Sequence, residues 1–104
     1  MTTIVYHTEL RNPKREAMLT SNGKPAKDQY VLTYEDGSTA FESYGTLIAH
    51  RPVNYPKQPI RLDRDAWNYS ITTARYRNRF LGEATAETRK RIKNGQYELA
   101  ALNV

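Results

Sequence analysis

The chain has no cysteine. A disulfide framework and thiolate metal sites are therefore excluded, and the composition fits a reducing compartment. Long apolar runs are missing too. None approaches the ~20 residues that a membrane-spanning helix needs. The opening stretch MTTIVYHTEL carries neither a basic n-region nor a long apolar h-region, so it does not read as a signal peptide. These absences predict a soluble cytoplasmic protein. Histidine is scarce, with His7 and His50 alone. A metal site would have to draw its ligands from distant segments. No Gly-x-Ser-x-Gly, Walker or Gly-x-Gly-x-x-Gly motif occurs. Asp63 and Asp65 stand two apart, but they answer the neighbouring Arg61 and Arg64 better than they suit acid–base chemistry. The expectation is a protein that binds and does not catalyse, with no cofactor and no metal.

What is present fills one small domain. A chain of 104 residues supports no more than that. It buries roughly two-thirds of the surface that its unfolded form exposes. Hydrophobic residues reach only 38%, and eight tyrosines supply much of the apolar bulk, so hydroxyls should lie near the core rim. Net charge is +5 and is unevenly placed. Between Ser70 and Gly95 stand seven basic and two acidic residues, whereas the rest of the chain holds nine of each sign. The whole excess sits in one quarter of the sequence. Such asymmetry marks either a partner with negative charge or a face kept soluble by its charge.

Periodicity divides the chain near residue 65, with 1–65 mainly strand and 66–104 mainly helix. Thr3–Thr8 reads as a strand, and Asn12-Pro13 ends it. The stretch around Asn22-Gly23 is a short strand then a loop, or loop throughout. The clearest signal is QYVLTYEDGSTAFESY, where two alternating runs flank Asp36-Gly37, the dipeptide of a type I′ hairpin. Leu47–Ala49 and Ile60–Leu62 are further strand candidates, separated by Pro52, Pro56 and Pro59. The period then changes. Ser70 or Thr72 caps a helix that stops at Gly82. Thr85 caps a second, with Glu87 in its first turn, basic residues in its last and Gly95 beyond. The tail either continues that helix or forms a separate piece over Tyr97–Leu102. The predicted fold is an α+β domain: a small antiparallel sheet of three or four strands, then two C-terminal helices packed on it.

The stretch WNYSITTARYRNRF carries Arg75, Arg77 and Arg79. At ~100° per residue, Arg75 and Arg79 share a polar stripe, while Arg77 falls ~200° from Arg75, inside the apolar arc. Arg77 should lay its methylenes along the core and bring its guanidinium to a carboxylate, Asp63 or Asp65, or to aromatic faces. In the second helix Arg89, Lys90 and Lys93 share one side, Arg91 pairs with Glu87, and Ile92 seeks the core. Arg75, Arg79, Arg89, Lys90 and Lys93 thus form a candidate phosphate-tracking patch. Tyr69, Tyr76, Tyr97 and Trp67 are candidates for stacking. The plainer alternative is a solvated basic face.

The segments DGSTAFESYGTLIAH, WNYSITTARYRNRFLGE and IKNGQYELAALN resemble a family of short proteins encoded by phages and other mobile elements. The shared pattern falls on Ser43, Tyr44, Thr46, Ile48, Ala49, Trp67, Ser70, Thr72, Thr73, Phe80 and Leu81, within Tyr30–Leu102. The resemblance assigns no catalytic or binding residue, and its residues also suit structural jobs: Ser70 or Thr72 caps the helix, Trp67 plugs the sheet–helix junction, and Tyr44 and Ile48 feed the core. It implies a small phage or plasmid accessory protein acting on a host machine, in the host cytoplasm. Two functions follow as expectations. The first is binding of nucleic acid or a host nucleoprotein through the basic helices. The alternative is inhibition of a host defence factor, of anti-CRISPR or anti-restriction type, by docking on an acidic protein surface. No membrane partner is expected, and nothing in the strands specifies an oligomeric state.

Overall fold

The computed structural model describes residues 13–103. The expected strand Thr3–Thr8 and His7 lie outside those residues. Among the described residues six strands form one sheet in the order β1-β2-β3-β4-β5-β6. They are β1 (Lys14–Leu19), β2 (Pro25–Thr33), β3 (Thr39–Ser43), β4 (Thr46–Arg51), β5 (Ile60–Asp63) and β6 (Tyr97–Ala100). Two helices, α1 (Ile71–Leu81) and α2 (Thr85–Lys93), intervene between β5 and β6. Neighbours from β1 to β5 run antiparallel, and β6 joins β5 in parallel.

The α+β class therefore stands, but the predicted sheet does not. It has six strands rather than three or four, it is mixed rather than antiparallel, and its last strand comes after the helices. The end of β1 is the short strand that one reading places before Asn22-Gly23, but its start at Lys14 was illegible because β1 is an edge strand. Its sequence KREAML is exposed at all but one position and carries no alternation. β6 has four residues and pairs with a strand far away in the chain. A parallel partner requires a crossover, and α1 and α2 supply it.

The first of the two central hairpins departs from the turn type expected of it. Thr33 pairs with Thr39, and between them the Gly37 amide donates to the Tyr34 carbonyl (2.9 Å). Only Gly37 has positive φ there (89°), while Asp36 accepts the Ser38 amide and hydroxyl. That is a three-residue loop closed by a glycine bulge, not the predicted two-residue I′ turn at Asp36-Gly37. The two-residue turn lies one hairpin later. Ser43 pairs with Thr46, and both residues between them have positive φ, Tyr44 at 51° and Gly45 at 75°. A tyrosine held there costs roughly 1–2 kcal/mol.

The helices cover one sheet face. On it Phe41, Ile48, Ala49, Ile60, Leu62 and Tyr97 are buried, with Tyr76 of α1 and the half-buried Phe80 and Ile92 packed against them. Phe41 and Phe80 stack with ring centroids 6.1 Å apart. Leu32, Tyr34, Ala40, Leu47 and Leu102 form a second cluster. Asn103 completes that side by accepting the Leu47 amide (2.7 Å) and donating to its carbonyl (2.8 Å), as a strand partner would.

His50 of β4 is buried, with its ring edge to that of Tyr34. Burial pushes its pKa down to about 4, against the pull of nearby Asp36 and with the help of Arg61. Well above pH ~6.5 the residue is neutral in both folded and unfolded chains. As pH falls from there toward 4, the unfolded chain takes up a proton that the folded chain refuses, so stability is lost. This residue is expected to remove about 2 kcal/mol between pH 7 and pH 4.5. Urea unfolding of wild type and His50→Gln at both pH values checks it. A variant with an undiminished pH slope would assign the loss to other groups.

Candidate functional site

Local sequence fixes both helices. Ser70 takes an extended conformation and its hydroxyl accepts the Thr73 amide, so of the two predicted caps Ser70 is the one used. Gly82, at φ 71°, closes the helix with its amide on the Asn78 carbonyl. The Thr73 hydroxyl meets that of Ser43 at 2.8 Å and ties α1 to the end of β3. α2 departs from expectation at its start. Ala84 holds the cap position and makes no side-chain bond, while Thr85 is the first helical residue. The Thr85 hydroxyl is engaged elsewhere.

It is engaged by Arg77, whose side chain is fully buried. One terminal nitrogen of Arg77 donates to the Trp67 carbonyl (2.6 Å) and to Asn68 Oδ1 (3.0 Å). The other donates to Asn78 Oδ1 (2.9 Å) and Thr85 Oγ1 (2.6 Å). Its Cζ lies 5.1 Å from the Trp67 ring centroid. The helical position of Arg77 in the apolar arc matches this burial, but the expected carboxylate partners are absent. Asp63 serves backbone amides: those of Asp65 (3.2 Å), Ala66 (2.9 Å) and Leu102 (3.0 Å). Asp65 is exposed. Arg77 is thus a buried cation held by neutral oxygens, a fork that reaches both helices and the loop before them. Burial lowers its pKa, the nearby Arg89 adds to that, and Glu83 opposes it.

The carboxylates of the helical layer are both occupied. Glu83 accepts the Thr88 hydroxyl (2.6 Å) and the Tyr97 hydroxyl (2.8 Å), and pairs with Arg91 at 3.2 Å. Glu87 pairs with the same arginine at 3.4 Å. Burial and the Glu83 contact push the Tyr97 hydroxyl well above the usual tyrosine range.

The five predicted basic contacts fall into two groups. α1 packs on β2 and β3, and α2 packs on β6, toward the opposite edge of the sheet. On α1, Arg75 is exposed, while Arg79 lies over the Tyr76 ring and donates to the Leu19 carbonyl at the end of β1. On α2, Arg89, Lys90 and Lys93 are exposed, with the Arg89 Cζ 5.4 Å from the Trp67 ring centroid. Arg75, Lys90 and Lys93 meet no carboxylate among the described residues.

Of the predicted stacking rings, Tyr76 and Tyr97 are buried in the core, which withdraws them from contact with a partner. Tyr69 is half exposed and Trp67 half buried. Two exposed side chains depart from the sequence reading: Ile71, which it does not single out, and Tyr44, which it places in the core. Ile71 stands four residues before Arg75, so the same wheel that placed Arg75 in solvent places Ile71 beside it. Tyr44 carries no such periodic signal, because its exposure follows from the turn.

Among the described residues no group of three His, Cys, Asp or Glu is placed to hold a metal ion. No helix there is long and apolar enough to cross a membrane. No curated protein and no solved structure matches the chain. Residues 14–95, from the start of β1 to just past α2, match a family described as "Family of unknown function (DUF8033)", and the chain belongs to that family.

Proposed function

We propose that this is a non-enzymatic accessory protein of a phage or other mobile element. It acts in the cytoplasm by binding nucleic acid, alone or within a nucleoprotein, through its basic helical layer. The observation that carries this reading is the charge balance of α2. Its one internal carboxylate and the adjacent Glu83 are both taken by Arg91, so Arg89, Lys90 and Lys93 remain exposed without anionic partners among the described residues. α2 exposes no large apolar side chain, as Ile92 turns inward. A purely cationic surface of this kind suits phosphates and reads no sequence.

Fluorescence anisotropy with labelled duplex and single-stranded oligonucleotides tests it. Binding should weaken with salt, at a log–log slope of about −2.7 for duplex if three phosphates are neutralised. The triple variant Arg89→Gln, Lys90→Gln, Lys93→Gln should bring that slope close to zero. A thermal melt of the variant checks its fold, since Arg89 gives up its contact with the Trp67 ring while its repulsion of the buried Arg77 is relieved. Absence of binding to either oligonucleotide at about 50 mM salt rules the reading out.

A further inference from the structure

The exposed apolar side chains of the described chain are not scattered. Of five large ones, four border α1: Leu19, Tyr44, Tyr69 and Ile71. Ile71 is 82% exposed, an extreme for an aliphatic residue inside a helix. Tyr69 immediately precedes the Ser70 cap. Tyr44 follows Ser43, whose hydroxyl meets Thr73 of α1. Leu19 offers its carbonyl to Arg79 at the other end of the helix. The solvent stripe of α1 is therefore Ile71, Arg75 and Arg79, four residues apart, with aromatic side chains near its start. Tyr44 also holds its left-handed backbone conformation at a position where glycine or asparagine would sit without strain. Strain kept at an exposed aromatic is a feature of contact sites.

We infer that this stripe is a second docking surface, separate from α2, and that its partner is an acidic protein segment presenting apolar side chains. Charge complementarity selects the partner. Arg75 and Arg79 flank the apolar residues, and Arg75 is unpaired among the described residues, so a second copy of this chain would bring like charges together. Nucleic acid would use the arginines and Tyr69, but an aliphatic side chain at Ile71 gives a phosphate backbone nothing. An amphipathic acidic helix uses both kinds of group, with its apolar residues on Ile71 and Tyr69 and its carboxylates on the arginines. The inference does not rest on the nucleic-acid reading. Together the two surfaces would hold both components of a nucleoprotein.

Anisotropy with three labelled probes tests it: a Glu/Leu peptide patterned as an amphipathic helix, a Glu/Gln peptide of equal length and charge with glutamine in place of each leucine, and an oligonucleotide. At about 150 mM salt, exposed charges are largely screened and apolar contact is not. The Glu/Leu peptide should bind roughly tenfold or more tightly than the Glu/Gln peptide. Ile71→Asp should erase that preference, Arg75→Glu should weaken both peptides, and the triple glutamine variant of α2 should change neither. Tyr44→Asn should bind the Glu/Leu peptide less well yet melt at a higher temperature, which a merely structural tyrosine would not do. Thermal melts of the Ile71 and Arg75 variants confirm that these exposed substitutions leave the fold intact. Equal affinity for the two peptides, or a preference that survives Ile71→Asp, overturns the inference. So does loss of oligonucleotide binding in Ile71→Asp, which would assign the stripe to nucleic acid.

Discussion

Arg77→Ala is expected to destabilise the protein by about 4 kcal/mol, and Arg77→Lys by about 2 kcal/mol. Two effects oppose each other at this position. Removing the guanidinium abolishes the desolvation of a buried cation that has no carboxylate beside it, which favours the variant. It also strips donors from four acceptors: the Trp67 carbonyl, Asn68, Asn78 and Thr85. Each buried acceptor left without a donor costs about 1–3 kcal/mol. The two asparagine side chains and the threonine hydroxyl are only half buried and recover part of this from water. The Trp67 carbonyl is fixed by the backbone and cannot turn away. Loss of the contact with the Trp67 ring adds roughly 1 kcal/mol, and the cavity left by a fully buried side chain adds more. The acceptors and the cavity outweigh the relief of charge. Lysine restores the charge but offers no planar fork, so it serves one pair of acceptors and not both. Urea unfolding midpoints at constant m measure these differences. If Arg77→Met proved as stable as wild type, the fork would not be what fixes α1 against the start of α2.

That arginine also marks how far the sequence was legible. Helical spacing suffices to separate Arg77 from Arg75 and Arg79, because the wheel depends only on the period. Its partners were not legible, because the Trp67 carbonyl and the side-chain oxygens of Asn68, Asn78 and Thr85 converge only after the helices pack. Asp63 drew attention as an acid shortly before α1, whereas the fold gives it to backbone amides. Thr85 was a sound cap by its type and position, and the buried arginine diverted its hydroxyl. β2 and β3 were legible since both alternate around a glycine turn. The turn type was not, since Asp36-Gly37 fits a two-residue and a three-residue loop equally well. The basic patch was legible as composition, but its division between two helices depends on the sheet edges that each helix covers. Tyr76 and Tyr97 show the same limit: ring count is written in the sequence, whereas exposure depends on which ring the sheet receives.

Asp63→Ala is expected to cost about 3 kcal/mol, and Asp63→Asn about 2 kcal/mol. Asp63 ends β5 and is buried. One carboxylate oxygen accepts the Asp65 and Ala66 amides and so shapes the turn that leads to Trp67 and α1. The other accepts the Leu102 amide, 39 residues away, and so holds the chain after β6 against the end of β5. Neighbouring backbone bonds reinforce both ends, from Arg64 to the Ala100 carbonyl and from Trp67 to the Asp63 carbonyl. One side chain therefore joins the start and the finish of the β5–α1–α2–β6 crossover. Hydrogen bonds to a charged acceptor contribute about 1.5–3 kcal/mol each, less than additively when they share one carboxylate. Alanine leaves three amides in need of new partners. Asparagine keeps the shape but turns an NH2 toward either the turn or Leu102, so one side is lost and the other kept. The variant should show which. Hydrogen exchange should speed up at Leu102 and along β6 in Asp63→Ala, while β2 and β3 exchange only as fast as the global loss of stability dictates. Uniform acceleration across all six strands would mean that the last strand has no local opening of its own, and that Asp63 stabilises the sheet as a whole rather than the closure of its parallel edge.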